Sequence, residues 1–191
     1  MLLSKVLITG VLSAIAASAV PITYTFTIVT SGTIGATPFT NQTLTFSVTT
    51  DSTLIAGPIG TQHTPNFPSG GVSVSTPLGP ATITNLANIL AAPGAVGLTF
   101  GDIIRVNSPA LATYDLSTFI GPTTSTTPQG TTTVPTTLGT IVFTGGFPVF
   151  TASSSPLSTP LPPSIILTLI GLACLGFFSF YTARRKFARS N

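Results

Sequence analysis

Residues 22–28 read Ile22-Thr23-Tyr24-Thr25-Phe26-Thr27-Ile28. Every second side chain is large and apolar, and every intervening one is threonine. A strand throws successive side chains to opposite faces, whereas a helix would scatter these four apolar groups around its circumference. The stretch therefore predicts a strand with Ile22, Tyr24, Phe26 and Ile28 inward and Thr23, Thr25 and Thr27 facing solvent. Leu44, Phe46 and Val48 repeat the pattern with Thr and Ser between them. Further strand candidates are 72–76, 81–86, 98–106, 112–120, 138–143 and 147–152, with Gly and Pro in nearly every gap. Residues 85–92 are expected to form one short helix or turn. The Thr-rich, low-complexity stretch 121–137 is expected to be a loop or edge segment. Many short strands, each with one polar face, predict an all-β protein: an antiparallel β-sandwich, jelly-roll-like, as the ectodomain.

Composition supports strands over helices. Of 191 residues only 5% are charged, and no Glu is present. Helices place Glu, Lys, Gln and Arg on their wet faces, while Thr, Val and Ile favour the pleated sheet. The net charge of +3 belongs to the ends of the chain. Between Lys5 and the cluster Arg184, Arg185, Lys186 and Arg189, a single Arg105 stands against Asp51, Asp102 and Asp115, which leaves the middle at −2. There is no basic stripe for nucleic acid.

The two ends carry addresses. Lys5 precedes an apolar stretch at 6–15, and Ala17-Ser18-Ala19 follows as a small-residue cleavage site. That pattern predicts a signal peptide, a short signal helix cut after Ala19 so that the mature chain begins at Val20. At the other end residues 165–182 are apolar or weakly polar. As a helix they span ~27 Å, close to the hydrocarbon core of a bilayer. Basic residues after the span predict a cytoplasmic tail and an ectodomain outside. The expected order is signal peptide 1–19, β-sandwich domain 20–150, Ser/Pro linker with a sorting motif 151–163, single transmembrane helix 164–183 and basic tail 184–191.

No constellation for catalysis is visible. His63 is the one histidine, and Cys174, the one cysteine, lies within the apolar span. A His/Cys zinc set cannot be assembled from these, and no nucleophile-elbow pattern surrounds any serine. Asp51 and Asp115 flank strand candidates and read as turn or edge residues. No metal ligands, catalytic residues or cofactor are expected. Asn41-Gln42-Thr43 fits the N-glycosylation pattern, a motif short enough to arise by chance in a Thr-rich chain.

The C-terminal stretch Pro160-Leu161-Pro162-Pro163-Ser164, followed by the apolar run and Arg184-Arg185-Lys186, resembles the sorting signal of PEP-CTERM proteins. Leu161 stands where the common form has Glu, so the likeness is to the Pro-Leu-Pro variant. The segments 112–122 and 137–144 are similar to segments of small secreted members of that group. The resemblance implies a non-catalytic bacterial envelope protein, exported, held by its tail and processed by a membrane-embedded exosortase. It further implies association with exopolysaccharide or biofilm matrix, and release to the cell surface after processing. On this basis Pro160, Leu161, Pro162 and Pro163 are the sorting motif. Arg184, Arg185, Lys186 and Arg189 are the basic stop signal, and Ala17 and Ala19 mark the signal cleavage.

Three other readings fit parts of the chain. Leu161-Pro162-Pro163-Ser164 partly mimics a Gram-positive sortase motif, with Ile165 in place of its glycine. A second alternative is a permanently anchored single-span protein, for which the tail is only a helix. The Thr23, Thr25 and Thr27 row is an ordinary wet β face or a surface for sugar or ice. Exposed aromatics near the loops, such as Phe67 or Tyr114, would favour sugar; regular Thr rows on adjacent strands would favour ice.

Overall fold

The computed structural model describes residues 20–59 and 61–154, whose regular elements are all β-strands apart from two single 3-10 turns at Ser52–Leu54 and Pro109–Leu111. Eleven strands occur among them: β1 (Pro21–Ile34), β2 (Thr37–Asp51), β3 (Ser73–Thr76), β4 (Gly79–Thr82), β5 (Asn88–Ala92), β6 (Ala95–Thr99), β7 (Ile103–Asn107), β8 (Ile120–Thr124), β9 (Thr132–Thr136), β10 (Gly139–Thr144) and β11 (Val149–Ser154). Every pairing is antiparallel. Eight strands form a large sheet, and β5-β6-β7 form a small one. Both contribute to a single apolar core, giving a sandwich-like arrangement.

The alternation in β1 is realised as expected. Ile22, Tyr24, Phe26 and Ile28 are buried, while Thr23, Thr25 and Thr27 lie on the opposite, partly exposed face. A slip of one residue would exchange the two faces and expose four bulky groups, at roughly 1.5–3 kcal/mol each, so the register is firmly set. Cross-strand ranks extend the core: Phe26 sits between Phe46 and Phe150, and Val74 and Ala81 continue that row.

β1 is long enough to serve two partners on one side. Its first half pairs with β11 and its last four residues with β10. Between them a bulge against β2 shifts the register at Thr30/Gly32, and Asn41 takes a left-handed φ of 51° there. At the far side, Ile83 bridges Thr136. The Thr137 N–H donates to the Thr82 carbonyl and the Thr84 N–H to the Pro135 carbonyl, both at 3.0 Å. The path β4-β3-β2-β1-β10-β9 thus meets itself, which leaves neither end strand a fully open edge.

Several boundaries differ from the sequence expectation. Residues 85–92 contain no helix; they hold β5, which pairs with β6 and is flanked by the segment 62–67. The candidate 98–106 breaks at Phe100-Gly101-Asp102 into β6 and β7, with Gly101 at φ 99°. Residues 112–119 turn instead of extending, and strand structure resumes only at Ile120. The stretch 121–137 is part strand, contributing to β8 and β9. β11 runs through Ser154, four residues into the stretch read as linker, and the unit containing all described residues ends at Ser155.

Two hairpins share one turn chemistry. In Thr76-Pro77-Leu78-Gly79 the Thr76 hydroxyl donates to the Gly79 carbonyl (2.8 Å) and accepts from the Leu78 N–H (3.1 Å). In Thr136-Thr137-Leu138-Gly139 the Thr136 hydroxyl makes the same pair of bonds, at 2.6 and 3.3 Å. Both closing glycines have positive φ, which a side chain would resist.

Candidate functional site

The residues singled out for export and sorting are Ala17, Ala19, Pro160, Leu161, Pro162, Pro163, Arg184, Arg185, Lys186 and Arg189. All lie outside the described residues, as does the apolar span 164–183. Among the described residues no helix is long and apolar enough to cross a membrane.

Within the domain the titratable groups are dispersed into structural roles. Asp51 caps the first 3-10 turn, accepting from the Thr53 N–H and hydroxyl, both at 2.8 Å. Asp115 does the same for the Ser117 N–H (3.1 Å) and hydroxyl (2.9 Å). Both are the turn residues expected from sequence. Asp102 joins two elements, accepting from the Ile103 N–H and, through its other oxygen, from the Thr133 N–H in β9, each at 2.8 Å. His63 is exposed, and its backbone bridges Ala56 and Leu90. No group of three or more His, Cys, Asp or Glu among the described residues could hold a metal.

Two tyrosines form a buried polar knot. The Tyr24 hydroxyl donates to the Leu116 carbonyl, and the Tyr114 hydroxyl to the Thr118 carbonyl at 3.1 Å. Both rings pack on Phe150. Burial raises both phenol pKa values, because a phenolate would lose its hydration. The nearby Asp115 carboxylate pushes each further up, and for Tyr114 a Tyr24 phenolate would add to the repulsion. The knot fixes the turn 112–119 against the sheet, and neither tyrosine offers an exposed ring. Phe67 is likewise buried, at 7% exposure. The two aromatics that could have marked a sugar surface are therefore core residues. Among the described residues the exposed aromatics are Phe119 (53%) and Phe147 (54%).

The outward face of the large sheet is a field of hydroxyls. Thr151, Thr25, Ser47, Ser73 and Thr82 form one cross-strand rank over β11, β1, β2, β3 and β4. Ser153, Thr23 and Thr49 form the next, with the Thr23 and Thr49 hydroxyls 2.7 Å apart. Neighbouring ranks are ~7 Å apart along a strand, and neighbouring strands ~4.8 Å apart. No charged side chain stands in either rank. Rows of mixed Thr and Ser on adjacent strands are thus present.

At the margin of this face lies an open cleft of about 360 Å³ lined by Phe119, Ile120, Gly121, Thr151, Ala152, Ser153 and Ser154. It follows from a register shift between β11 and β8 at Phe150/Ala152, which places one extra residue in β8 and spreads the ladder. Sequence reasoning placed Phe119 inside a continuous strand and so gave it no role. The Gly121-Pro122 pair after it was the available signal of irregular pairing.

No family model, curated protein or solved structure matches this chain.

Proposed function

We propose that this chain is an exported bacterial envelope or extracellular-matrix protein without catalytic activity. Its jelly-roll-like β domain is carried outside the cytoplasm between a signal helix, removed after Ala19, and a C-terminal transmembrane helix that is temporary. An exosortase-type membrane enzyme reads Pro160-Leu161-Pro162-Pro163, and the processed domain associates with exopolysaccharide or biofilm. The observation that carries this reading is the order Pro160-Leu161-Pro162, apolar run, Arg184-Arg185-Lys186 at the end of the chain. Proline disfavours helix and biases its neighbours to extended backbone, so the motif suits a strand-like fit in a protease groove at the membrane surface.

A permanent anchor needs only hydrophobicity and flanking cations. It would tolerate Pro160→Ala with Pro162→Ala. A recognised motif would not, and the full-length precursor would accumulate in the membrane. Intact masses of wild type and double variant from the native host separate the two. Equal retention of residues 165–191 in both makes the tail an anchor.

A further inference from the structure

The geometry points to the cleft beside Phe119 as a binding site for a sugar unit of a neutral polysaccharide, with the hydroxyl ranks of β11, β1 and β2 as the track for the adjoining units. The inference rests on the matrix-associated reading above and supplies it with a site. Sugar sites combine an apolar wall, on which the C–H face of a pyranose ring lies, with a few placed polar groups that bond its hydroxyls. Phe119 is the half-exposed wall, and Thr151 and Ser153, on the outward face of β11, bring the hydroxyls. The volume is at the low end of the range for ligand clefts, enough for one ring. Its openness suits a polymer that continues past the site. Thr151 and Ser153 lead directly to Thr25 and Thr23 on the next strand, so the track begins where the cleft ends.

Charge selects the class of glycan. No Lys or Arg lines the cleft or stands in the ranks, and the one cation of the domain, Arg105, belongs to the small sheet. A uronate or sulfate brought here would lose hydration without gaining a partner. A neutral sugar carries no charge to desolvate.

The test uses the full chain in detergent, applied to a printed array of neutral and acidic oligosaccharides and to affinity gels containing dextran, laminarin or alginate. Retention is expected on neutral glycans and not on alginate. Phe119→Ala should weaken it about tenfold, the scale of one aromatic stack, while Phe119→Trp preserves it. Thr151→Val should weaken it with the fold intact by circular dichroism. Binding that is unchanged in Phe119→Ala overturns the site while leaving matrix association standing. Absence of retention on every neutral glycan overturns the inference, and tail processing is read separately from intact mass. Slowed ice growth without glycan retention also overturns it, in favour of the hydroxyl ranks facing a crystal.

Discussion

The Tyr24 hydroxyl donates to the Leu116 carbonyl at 2.5 Å across 92 positions of sequence, with both groups buried. Tyr24→Phe retains the ring stacked on Phe150 and removes only this donor. The Leu116 carbonyl would then be buried with one partner fewer, at a cost of about 1–3 kcal/mol. The urea midpoint should fall with the m-value unchanged. An unaltered midpoint would mean that water replaces the phenol.

The same pair of tyrosines sets an alkaline limit. Both native pKa values lie above the ordinary value of about 10 that the unfolded chain shows. Between that value and the raised one, the unfolded state releases protons that the native state keeps. Stability is therefore complete below pH ~10 and falls above it, by up to ~1.4 kcal/mol per pH unit for each phenol. In a near-ultraviolet titration these two of the three tyrosines should ionise together with unfolding. Smooth titration of all three on a folded domain would contradict the burial.

Two glycines should respond in opposite ways to alanine. A Cβ on Gly32 would stand 2.0 Å from the Val142 carbonyl oxygen, in the backbone of β10. That oxygen cannot swing aside, so Gly32→Ala must push β10 away from β1, with an expected loss of several kcal/mol. Gly130 has no positive φ, and a Cβ there meets nothing within 4 Å. Gly130→Ala should be neutral or stabilise by up to ~1 kcal/mol, through the unfolded chain. Paired thermal melts of the two variants would settle the contrast.

What could be read from sequence was local. The period of two in β1 and β2 is carried by the residues themselves, and the core positions Tyr24, Phe26, Leu44 and Phe46 followed from it. The strand β5 was obscured because Leu86, Ala87, Ile89, Leu90 and Ala91 have no period that separates helix from strand. Its pairing with β6 and with the segment 62–67 decides the matter, and both are tertiary. Residues 112–120 deceived in the opposite sense. Tyr114 and Leu116 do alternate into the core, but the Asp115 turn bends the backbone. The cleft at Phe119 depends on a register shift between strands, which composition does not encode. The least legible part was 121–137, where the strands β8 and β9 flank a segment whose bonds to the small sheet are made largely by side chains.

Gln129, in the middle of that stretch, acts as a substitute strand. Its side-chain oxygen accepts from the Arg105 N–H at 3.1 Å, and its side-chain nitrogen donates to the Ile103 carbonyl at 2.9 Å. One carboxamide thus supplies the donor and acceptor that a neighbouring β residue would offer to the outer edge of β7. Its backbone meanwhile exchanges bonds with Gly145 and Gly146 beyond β10, at 3.0 and 2.8 Å, which ties the small sheet to the large one. Gln129→Ala keeps the backbone bonds and removes the edge partners. Because Arg105 is exposed, water can replace part of what is lost, and the expected cost is about 1 kcal/mol. Gln129→Glu keeps an acceptor for the Arg105 N–H but turns a second acceptor toward the Ile103 carbonyl, so it should cost more than alanine above the carboxyl pKa; once protonated, its O–H can donate to that carbonyl and the variant should approach the wild type. Hydrogen exchange is the direct measurement. The Arg105 amide should lose about fivefold to tenfold protection in Gln129→Ala, corresponding to ~1–1.4 kcal/mol. Amides of β1 and β2 should be unaffected, since their partners are other strands. Equal loss across both sheets would show instead that Gln129 supports the whole domain.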